Sequence, residues 1–310
     1  LFQIQEKIME NPTPEMHLLS SLSSQMADAV EQIGLALVMV NGRQRQSASG
    51  IVYAPDLILT ADHVLEREDN LTIQTFDERT LTAQFVGRDH ISDLAILRVP
   101  DLGLDPAATA SDPARVGQLI LAVGRPTASG PMASIGIVSA VGGPLRMRRG
   151  RMLERFIRTD AIPYPGFSGG PVIDGRGAVL GILTTGLIGG ATLAIPTAIA
   201  WRVAGTLSQQ GFIKRGFLGI SSQPVQLPEG QRAGRAQEQG LLIVRVEPDS
   251  PAAQGGMLLG DILVGIDGQP VNDTDDLQAL LMSDRAGKTV PVEVIRGGTL
   301  QTLQVTVGQR

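Results

Sequence analysis

Ser168 sits in Pro165-Gly166-Phe167-Ser168-Gly169-Gly170-Pro171, where glycines flank a hydroxyl on both sides. Glycine lets the backbone take angles closed to other residues and approach a bound group closely. In that setting the amide N–H groups of Gly166 and Ser168 can turn inward together and form an oxyanion hole, a pair of donors awaiting a developing negative oxygen. The same composition also suits a plain turn between strands. A serine hydroxyl becomes a nucleophile only when a base takes its proton and a third group orients that base. Three histidines are available as that base. His17 falls in an N-terminal amphipathic stretch and His90 in a polar turn. His63 closes the apolar run Leu59-Thr60-Ala61-Asp62-His63-Val64, where the end of a strand can fix a side chain, and is the candidate base.

Other chemistries are removed by composition. The 310 residues contain no cysteine, which excludes disulfide scaffolds, thiolate zinc sites and cysteine nucleophiles. Net charge is −5, from 26 basic and 31 acidic residues, so no global field favours nucleic acid or an anionic membrane. Lys7, Lys214 and Lys288 are the only lysines, a bias of coding before function. With 43% apolar and 18% charged residues the chain has an ordinary globular composition. No apolar run approaches the roughly 20 residues of a membrane span. The start, Leu1-Phe2-Gln3-Ile4-Gln5, lacks an initiator Met and a signal-like stretch, so any export signal or anchor is expected to lie outside this chain.

The elements that must position these residues are mostly short strands. His17 to Ile33 carries Leu18, Leu19, Leu22, Met26, Val30 and Ile33 at helical spacing. From there the period becomes strand-like. Runs at 34–40, 49–60 (two strands around Ala54-Pro55-Asp56), 71–76, 81–86, 94–99, 119–123, 136–141, 155–159, 170–173 and 178–184 are separated by turn residues. Asp174-Gly175 is a hairpin signal. Gly175 to Gly181 is glycine-rich, but no helix follows it, so a hairpin is preferred over a dinucleotide loop. Many short strands with little helix argue for barrels or sandwiches. A helix over Thr197–Gln210, closed by Gly211, then precedes a second unit that begins near Arg215.

Three segments now align in order: Thr60-Ala61-Asp62-His63-Val64, Ser92-Asp93-Leu94-Ala95-Ile96-Leu97 and Gly166-Phe167-Ser168-Gly169-Gly170-Pro171. Together they resemble the chymotrypsin-like serine proteases, whose triad runs His, Asp, Ser. Gaps of 30 and 75 residues are short, as in the bacterial HtrA/Deg branch. Further segments that look like that branch are Gly136-Ile137-Val138-Ser139-Ala140, Phe156-Ile157-Arg158-Thr159-Asp160-Ala161 and Leu193-Ala194-Ile195-Pro196. The resemblance covers roughly residues 34–310. It implies a catalytic triad in which His63 is general base and then acid, Asp93 holds its imidazole, and Ser168 is the nucleophile. Gly166 and Ser168 would form the oxyanion hole. Asp62 and Asp89 are nearby rivals of Asp93 and rank below it. Ile162 would sit near the base of the specificity pocket, with the segment Thr184-Thr185-Gly186-Leu187 as another wall, chiefly Thr185, Gly186 and Leu187, favouring a small or medium apolar residue before the scissile bond. The family's polar residue before the nucleophile, Asn in the HtrA branch, is here Phe167, and Pro163-Tyr164 replaces Ile-Asn. Such a loop must be held by packing, or it is malformed at rest. Arg146, Arg148, Arg149 and Arg151 form a basic loop, by default solvated, whose equivalent relays regulatory signals in the family. No cofactor and no metal are implied.

In the second unit, Glu247-Pro248-Asp249-Ser250-Pro251-Ala252-Ala253 followed by Gly260-Asp261-Ile262-Leu263-Val264-Gly265-Ile266-Asp267-Gly268 resembles the core of bacterial PDZ domains. Such a domain adds an extended peptide beside its sheet edge. Phe217-Leu218-Gly219-Ile220 matches the carboxylate-binding loop, and Leu277 and Leu281 on the helix over 275–282 would line the other wall or simply be core. The expected fold class is mainly β: a chymotrypsin-like double β-barrel protease domain followed by a smaller α+β PDZ domain. Its expected division is an N-terminal segment 1–33, a protease domain 34–212 and a PDZ domain 213–310. The resemblance implies an extracytoplasmic, PDZ-regulated endopeptidase acting on unfolded polypeptides. Its partners would be polypeptide substrates and C-terminal peptides, without nucleic acid, in a homo-oligomer such as a trimer. The alternative is a chaperone-like or peptide-binding protein with a latent protease domain.

Overall fold

The computed structural model describes residues 14–146, 152–188, 191–213, 216–281 and 285–309. Two compact units form, the first from Leu1–Gly142 with Arg155–Gly211 and the second from Gly143–Glu154 with Phe212–Arg310. The second unit therefore includes a segment that lies inside the 34–212 span. Arg148, Arg149 and Arg151 of the basic loop lie outside the described residues.

In the first unit, helix α1 (Pro14–Gly34) leads into a closed six-stranded barrel. Its strands are β1 (Leu37–Asn41), β2 (Ala48–Ala54), β3 (Leu57–Ala61), β4 (Leu71–Gln74), β5 (Thr80–Asp89) and β6 (Leu94–Arg98), in the order β1-β2-β3-β6-β5-β4. The expected helix is present, but only its C-terminal part is covered. Ala29 and Ile33 are buried, whereas Leu18 and Leu19 are 72% and 68% exposed. On and between these strands, Leu37, Ile51, Ile58, Leu59, Leu71, Ile73, Leu94 and Ile96 are wholly buried. The burial of each is worth about 1.5–3 kcal/mol relative to exposure.

A second closed barrel follows, from β7 (Leu119–Thr127), β8 (Gly130–Gly142), β11 (Phe156–Thr159), β12 (Pro171–Ile173), β13 (Val179–Thr184) and β14 (Thr192–Pro196). Between β8 and β11 the chain makes a small two-stranded ladder, β9 (Leu145–Arg146) with β10 (Met152–Leu153). β12 and β13 form the hairpin expected at Asp174-Gly175, with the Asp174 carboxylate accepting from the Arg176 and Ala178 N–H groups. Helix α2 (Thr197–Gln210) ends at Gly211, whose φ of 77° and bond to the Leu207 carbonyl make the left-handed cap. Closing both barrels leaves neither sheet an open edge, so each ladder satisfies its own backbone groups.

The second unit is a sheet in the order β16-β17-β18-β20-β21, from β16 (Ile220–Gln226), β17 (Gln239–Val246), β18 (Ile262–Ile266), β20 (Thr289–Arg296) and β21 (Thr299–Thr306). β19 (Gln269–Pro270) pairs with β18, and β15 (Gly216–Phe217) pairs with β22 (Gly308–Gln309). Helix α3 (Pro251–Gln254) begins where Ser250-Pro251 predicts, with the Ser250 hydroxyl accepting from the Ala253 N–H. Helix α4 (Thr274–Leu281) packs beside β16. Leu218, Leu241, Ile243, Leu263, Leu277 and Val292 are among the core residues of this unit. The buried Asp261 carboxylate takes both Nε and Nη2 of Arg296 at 2.7 Å and the Leu258 N–H at 2.8 Å. That hydrogen bonding to Asp261 raises the Arg296 pKa.

Candidate active site

The β3–β6 ladder places the first two site residues side by side. Ala61 lies opposite Leu94 in that ladder. His63, just past the end of β3 in a single 3-10 turn, therefore meets Asp93, just before β6. Asp93 takes a left-handed backbone angle, φ 56°, which Asp tolerates better than most residues. Its carboxylate is then bound from three directions. His63 donates through Nδ1 to Oδ2 at 2.6 Å and through its backbone N–H to Oδ1 at 2.9 Å. The Thr184 hydroxyl donates to Oδ2 as well. Asp93 is 4% exposed while the His63 side chain is 30% exposed. With Nδ1–H directed at the Asp93 carboxylate, Nε2 is left as the acceptor on the open side, the tautomer a general base requires.

Asp62 and Asp89 have other partners. Asp62 contacts His90 Nδ1 and lies 3.1 Å from an Arg88 nitrogen. Asp89 Oδ2 accepts from the Ser92 N–H and hydroxyl.

Gly186 covers the His63–Asp93 pair. A Cβ built there would come within 2.5 Å of His63 Nδ1 and 3.1 Å of Asp93 Oδ2, so only glycine fits against the ring. Gly186 is held by its N–H to Thr184 Oγ1, 3.1 Å. The same threonine thereby orients both the acid and the backbone lying over it.

Ser168 is brought to this point by the second barrel. Its loop is clamped to β13, with the Gly169 N–H on the Leu183 carbonyl and the Leu183 N–H on the Gly170 carbonyl. Upstream, Tyr164-Pro165-Gly166-Phe167 is a type II turn: the Phe167 N–H bonds the Tyr164 carbonyl at 3.0 Å, Pro165 is the second residue and Gly166 has φ 89°. That third position requires a positive φ, which is why it is glycine. Among the described residues, neither the Gly166 N–H nor the Ser168 N–H has an acceptor. Two unpaired donors one residue apart are the arrangement that receives a tetrahedral oxyanion.

Phe167 is held by packing. Its ring is wholly buried in the core of the second barrel with Ala122, Val138, Ile157, Val172 and Leu183. Tyr164 meets it edge-on, centroids 5.4 Å apart. Gly124 leaves the space beneath, since a Cβ there would lie 2.6 Å from the ring. Packing here does the work that a polar side chain's hydrogen bonds would do.

The Ser168 hydroxyl lies 3.0 Å from Thr185 Oγ1, and among the described residues no hydrogen bond joins it to His63. Thr185 thus touches the candidate nucleophile itself, closer than a pocket wall would need to be. Ile162 is 58% exposed, its N–H bonded to the Ser134 hydroxyl at 2.9 Å, and Leu187 is half-buried. The Thr184 bond to Asp93, and Ser49, whose hydroxyl donates to the Gly166 carbonyl, are contacts of the site that the motifs did not point to. Their signal was a hydroxyl inside an apolar strand: Thr184 ends Val179–Leu183, and Ser49 opens a run into Ile51-Val52. Among the described residues no group of three or more His, Asp or Glu is placed to hold a metal ion. No described helix is long and apolar enough to cross a membrane.

In the second unit, Phe217 and Ile220 are half-buried, while Leu218, Leu277 and Leu281 are 2%, 6% and 8% exposed and belong to the core. The Leu218 and Gly219 carbonyls accept from the Ala252 and Glu247 N–H groups, both at 2.8 Å. Among the described residues, the N–H groups of Leu218 and Gly219 have no acceptor. Among the described residues β16, which follows directly, pairs only with β17 and so presents a free sheet edge beside α4.

Comparison with known proteins places these features in a family. The trypsin-like peptidase domain matches residues 48–182 and the PDZ domain matches residues 216–307. A probable periplasmic serine endoprotease DegP-like of Pseudomonas savastanoi pv. phaseolicola is 35% identical over 276 residues, covering 86% of this chain and 57% of the relative. The chain thus spans little more than half the length of such curated relatives. Among solved structures, the HtrA-type protease AlgW with tripeptide is 31% identical with a TM-score of 0.75, covering 92% of this chain and 97% of that one. The serine endoprotease from Yersinia pestis is 29% identical with a TM-score of 0.75, covering 92% and 98%.

Proposed function

Given that this chain belongs to the HtrA-type serine proteases, a mainly β, double-barrel peptidase domain followed by a PDZ domain, we propose that it is a serine endopeptidase. It cleaves unfolded polypeptides through an acyl-enzyme and is regulated by peptides bound at its PDZ domain. The observation that carries the reading is the convergence of a His63–Asp93 pair at 2.6 Å with a buried Ser168 flanked by two unpaired N–H groups.

The chemistry follows from the geometry. For reaction, rotation of the Ser168 side chain to another staggered rotamer would carry its hydroxyl from Thr185 towards His63 Nε2. Oγ attacks the scissile carbonyl as Nε2 takes its proton, and the new oxyanion accepts from the Gly166 and Ser168 N–H groups. Asp93, held by Thr184, stabilises the imidazolium without itself taking the proton. His63 then protonates the leaving amine, the bond to it breaks, and water repeats the sequence in reverse to release the acid. Ile162, Thr185, Gly186 and Leu187 are proposed to border the pocket for the residue before the scissile bond. They contribute no acidic group there, consistent with a small or medium apolar preference.

Peptide regulation is supported by the free edge of β16 and the unpaired N–H groups at Leu218 and Gly219. A free chain terminus would place its carboxylate on those donors and its backbone along β16. Relatives named periplasmic favour an extracytoplasmic location, and a homo-oligomer is proposed with it.

A second reading is favoured by one observation, the Ser168 hydroxyl resting on Thr185: a latent protease whose main role is chaperone-like peptide binding. Casein cleavage beside a Ser168→Ala control separates the two. Cleavage abolished by the substitution supports the endopeptidase; equal activity in both proteins overturns it.

A further inference from the structure

Resting on the endopeptidase reading, we infer that Ser49 is the positioning residue of the oxyanion hole, acting from the first barrel on the nucleophile loop of the second. Ser49 is wholly buried near the start of β2. Its hydroxyl donates to the Gly166 carbonyl at 2.7 Å, and its backbone N–H donates to the Ser168 carbonyl at 3.2 Å. The hydroxyl oxygen also accepts from the Arg125 N–H at 2.8 Å. The Ser49 carbonyl in turn accepts from the Thr60 hydroxyl at 2.7 Å. Every one of these bonds ends on the nucleophile loop or on strands that support it, and none on the His63–Asp93 pair.

The consequence lies in which peptide planes are free to rotate. The Gly166–Phe167 peptide is held at its carbonyl by Ser49 Oγ and at its N–H by the Tyr164 carbonyl. The Ser168–Gly169 peptide is held at its carbonyl by the Ser49 N–H and at its N–H by the Leu183 carbonyl. The intervening Phe167 carbonyl accepts from the Gly170 N–H at 2.9 Å. Loop carbonyls are thus turned away and anchored, and the two amides left facing outward belong to Gly166 and Ser168. Ser49 supplies two of the three carbonyl anchors. Deleting its hydroxyl removes the carbonyl anchor of the peptide following Gly166, which is then held through the Phe167 N–H alone. Gly166 has no side chain to limit rotation about its two backbone bonds, so the preceding Pro165–Gly166 peptide, which carries the Gly166 N–H, is less firmly fixed and that donor can turn out of line with the reacting carbonyl. A group that presents donors before the charge develops acts on the transition state more than on the bound substrate.

The test compares wild type, Ser49→Ala and Ser49→Cys as full chains, with active sites titrated by a fluorophosphonate and kcat and KM measured separately on a fluorogenic peptide. Removing one oxyanion donor outright costs about 10²–10³ in kcat, so misplacing one should cost about 10–100-fold. The expected result for Ser49→Ala is that loss in kcat per titrated site, KM within about twofold, and an unchanged midpoint of the pH–rate profile. Ser49→Cys, which keeps a weak donor, should lie between the two. A purely structural role would lower the number of titratable sites and leave kcat per site unchanged, which overturns the inference. So does a loss confined to KM, or a moved pH midpoint. If Ser49→Ala does not fold, Ser49→Cys decides alone, wild-type kcat counting against and a reduced kcat in favour. A wild type that neither cleaves casein nor takes the probe at Ser168 overturns the endopeptidase reading and this inference together. A cleaving wild type matched by Ser49→Ala overturns the inference alone.

Discussion

The nucleophile loop of the first unit and the loop opening β16 of the second use the same backbone device. Each contains a glycine of positive φ, Gly166 at 89° and Gly219 at 79°. Each has its carbonyls anchored and leaves two N–H groups without acceptors among the described residues. They differ in what stands beside the donors and in where the anchors originate. Beside the first is a hydroxyl with a histidine–aspartate pair within the same barrel pair; beside the second are Phe217, Leu218 and Ile220, which have no titratable atom. The first is anchored by Ser49, 117 residues from Gly166, across two barrels; the second is anchored by Glu247 and Ala252 of its own small unit. A pair of unpaired amides is therefore not itself a function. On our reading, the first meets a charge that exists only during reaction, and the second a charge that the ligand always carries.

That contrast can be broken at several points. The largest effect is expected from Ser168→Ala, which should reduce casein cleavage by about 10⁴-fold or more while melting temperature and peptide binding at the second loop stay unchanged. Retained cleavage would show that the first loop is no more catalytic than the second. Next is Gly166→Ala, whose Cβ would lie 2.5 Å from Pro126 Cβ and 2.8 Å from the Ser47 carbonyl. Loss of the turn should lower kcat by about 10²–10³-fold, read on a fluorogenic peptide, and a wild-type kcat would remove the oxyanion assignment.

The matching change in the second loop is Gly219→Ala, where a Cβ would meet Ser250 Cβ at 2.3 Å. Affinity for a peptide with a free apolar C-terminus should fall about 10-fold or more, to the level of the same peptide amidated. If free and amidated peptides bind wild type equally, carboxylate capture is wrong. Where the free peptide also alters cleavage, the coupling should be of ordinary allosteric size, about 5–150-fold.

The smallest effect, and the one that sharpens the comparison most, is pH. Cleavage should rise from pH 5.5 to 8.5, because His63 must be unprotonated to accept the Ser168 proton. Peptide affinity should stay flat over the same range, because a terminal carboxylate, titrating near pH 3.5, is ionised throughout. Measured side by side, a flat rate profile counts against His63 as the base, and a sloping affinity counts against simple carboxylate capture.

Strand positions, the Asp174-Gly175 hairpin, α2 with its Gly211 cap and the Ser250-Pro251 helix start all followed from local pattern, because each is set by residues close in sequence. What local pattern did not supply was closure. Nothing in the run Thr192–Pro196 says that it pairs with β11 and β13 to seal a barrel. The exposed Leu18 and Leu19 show the converse, a helical apolar stripe whose outer part the fold leaves uncovered. For the site, motifs pointed to His63, Asp93 and Ser168, since those residue types are scarce in their settings. Ser49 and the Thr184 bond to Asp93 were hidden because these contacts span 117 and 91 residues of chain, and Gly186 was read only as a pocket wall because its fit against the His63 ring leaves no local trace. Phe167 was the clearest departure from the family pattern, and its meaning depended on Gly124, 43 residues earlier.

The distribution of the reacting groups over two barrels also bears on how the protein is made. His63 and Asp93 belong to the half of the chain that emerges first, Ser168 to the half that follows, and Thr184 comes later still. A chain in which only the first barrel has formed therefore carries a base and no nucleophile. Only when β13 closes the second barrel are the serine, its donors and the aspartate's last hydrogen bond assembled in one step. On the endopeptidase reading, a copy whose second barrel has not closed lacks the assembled groups needed to cut its neighbours, a safeguard supplied by topology.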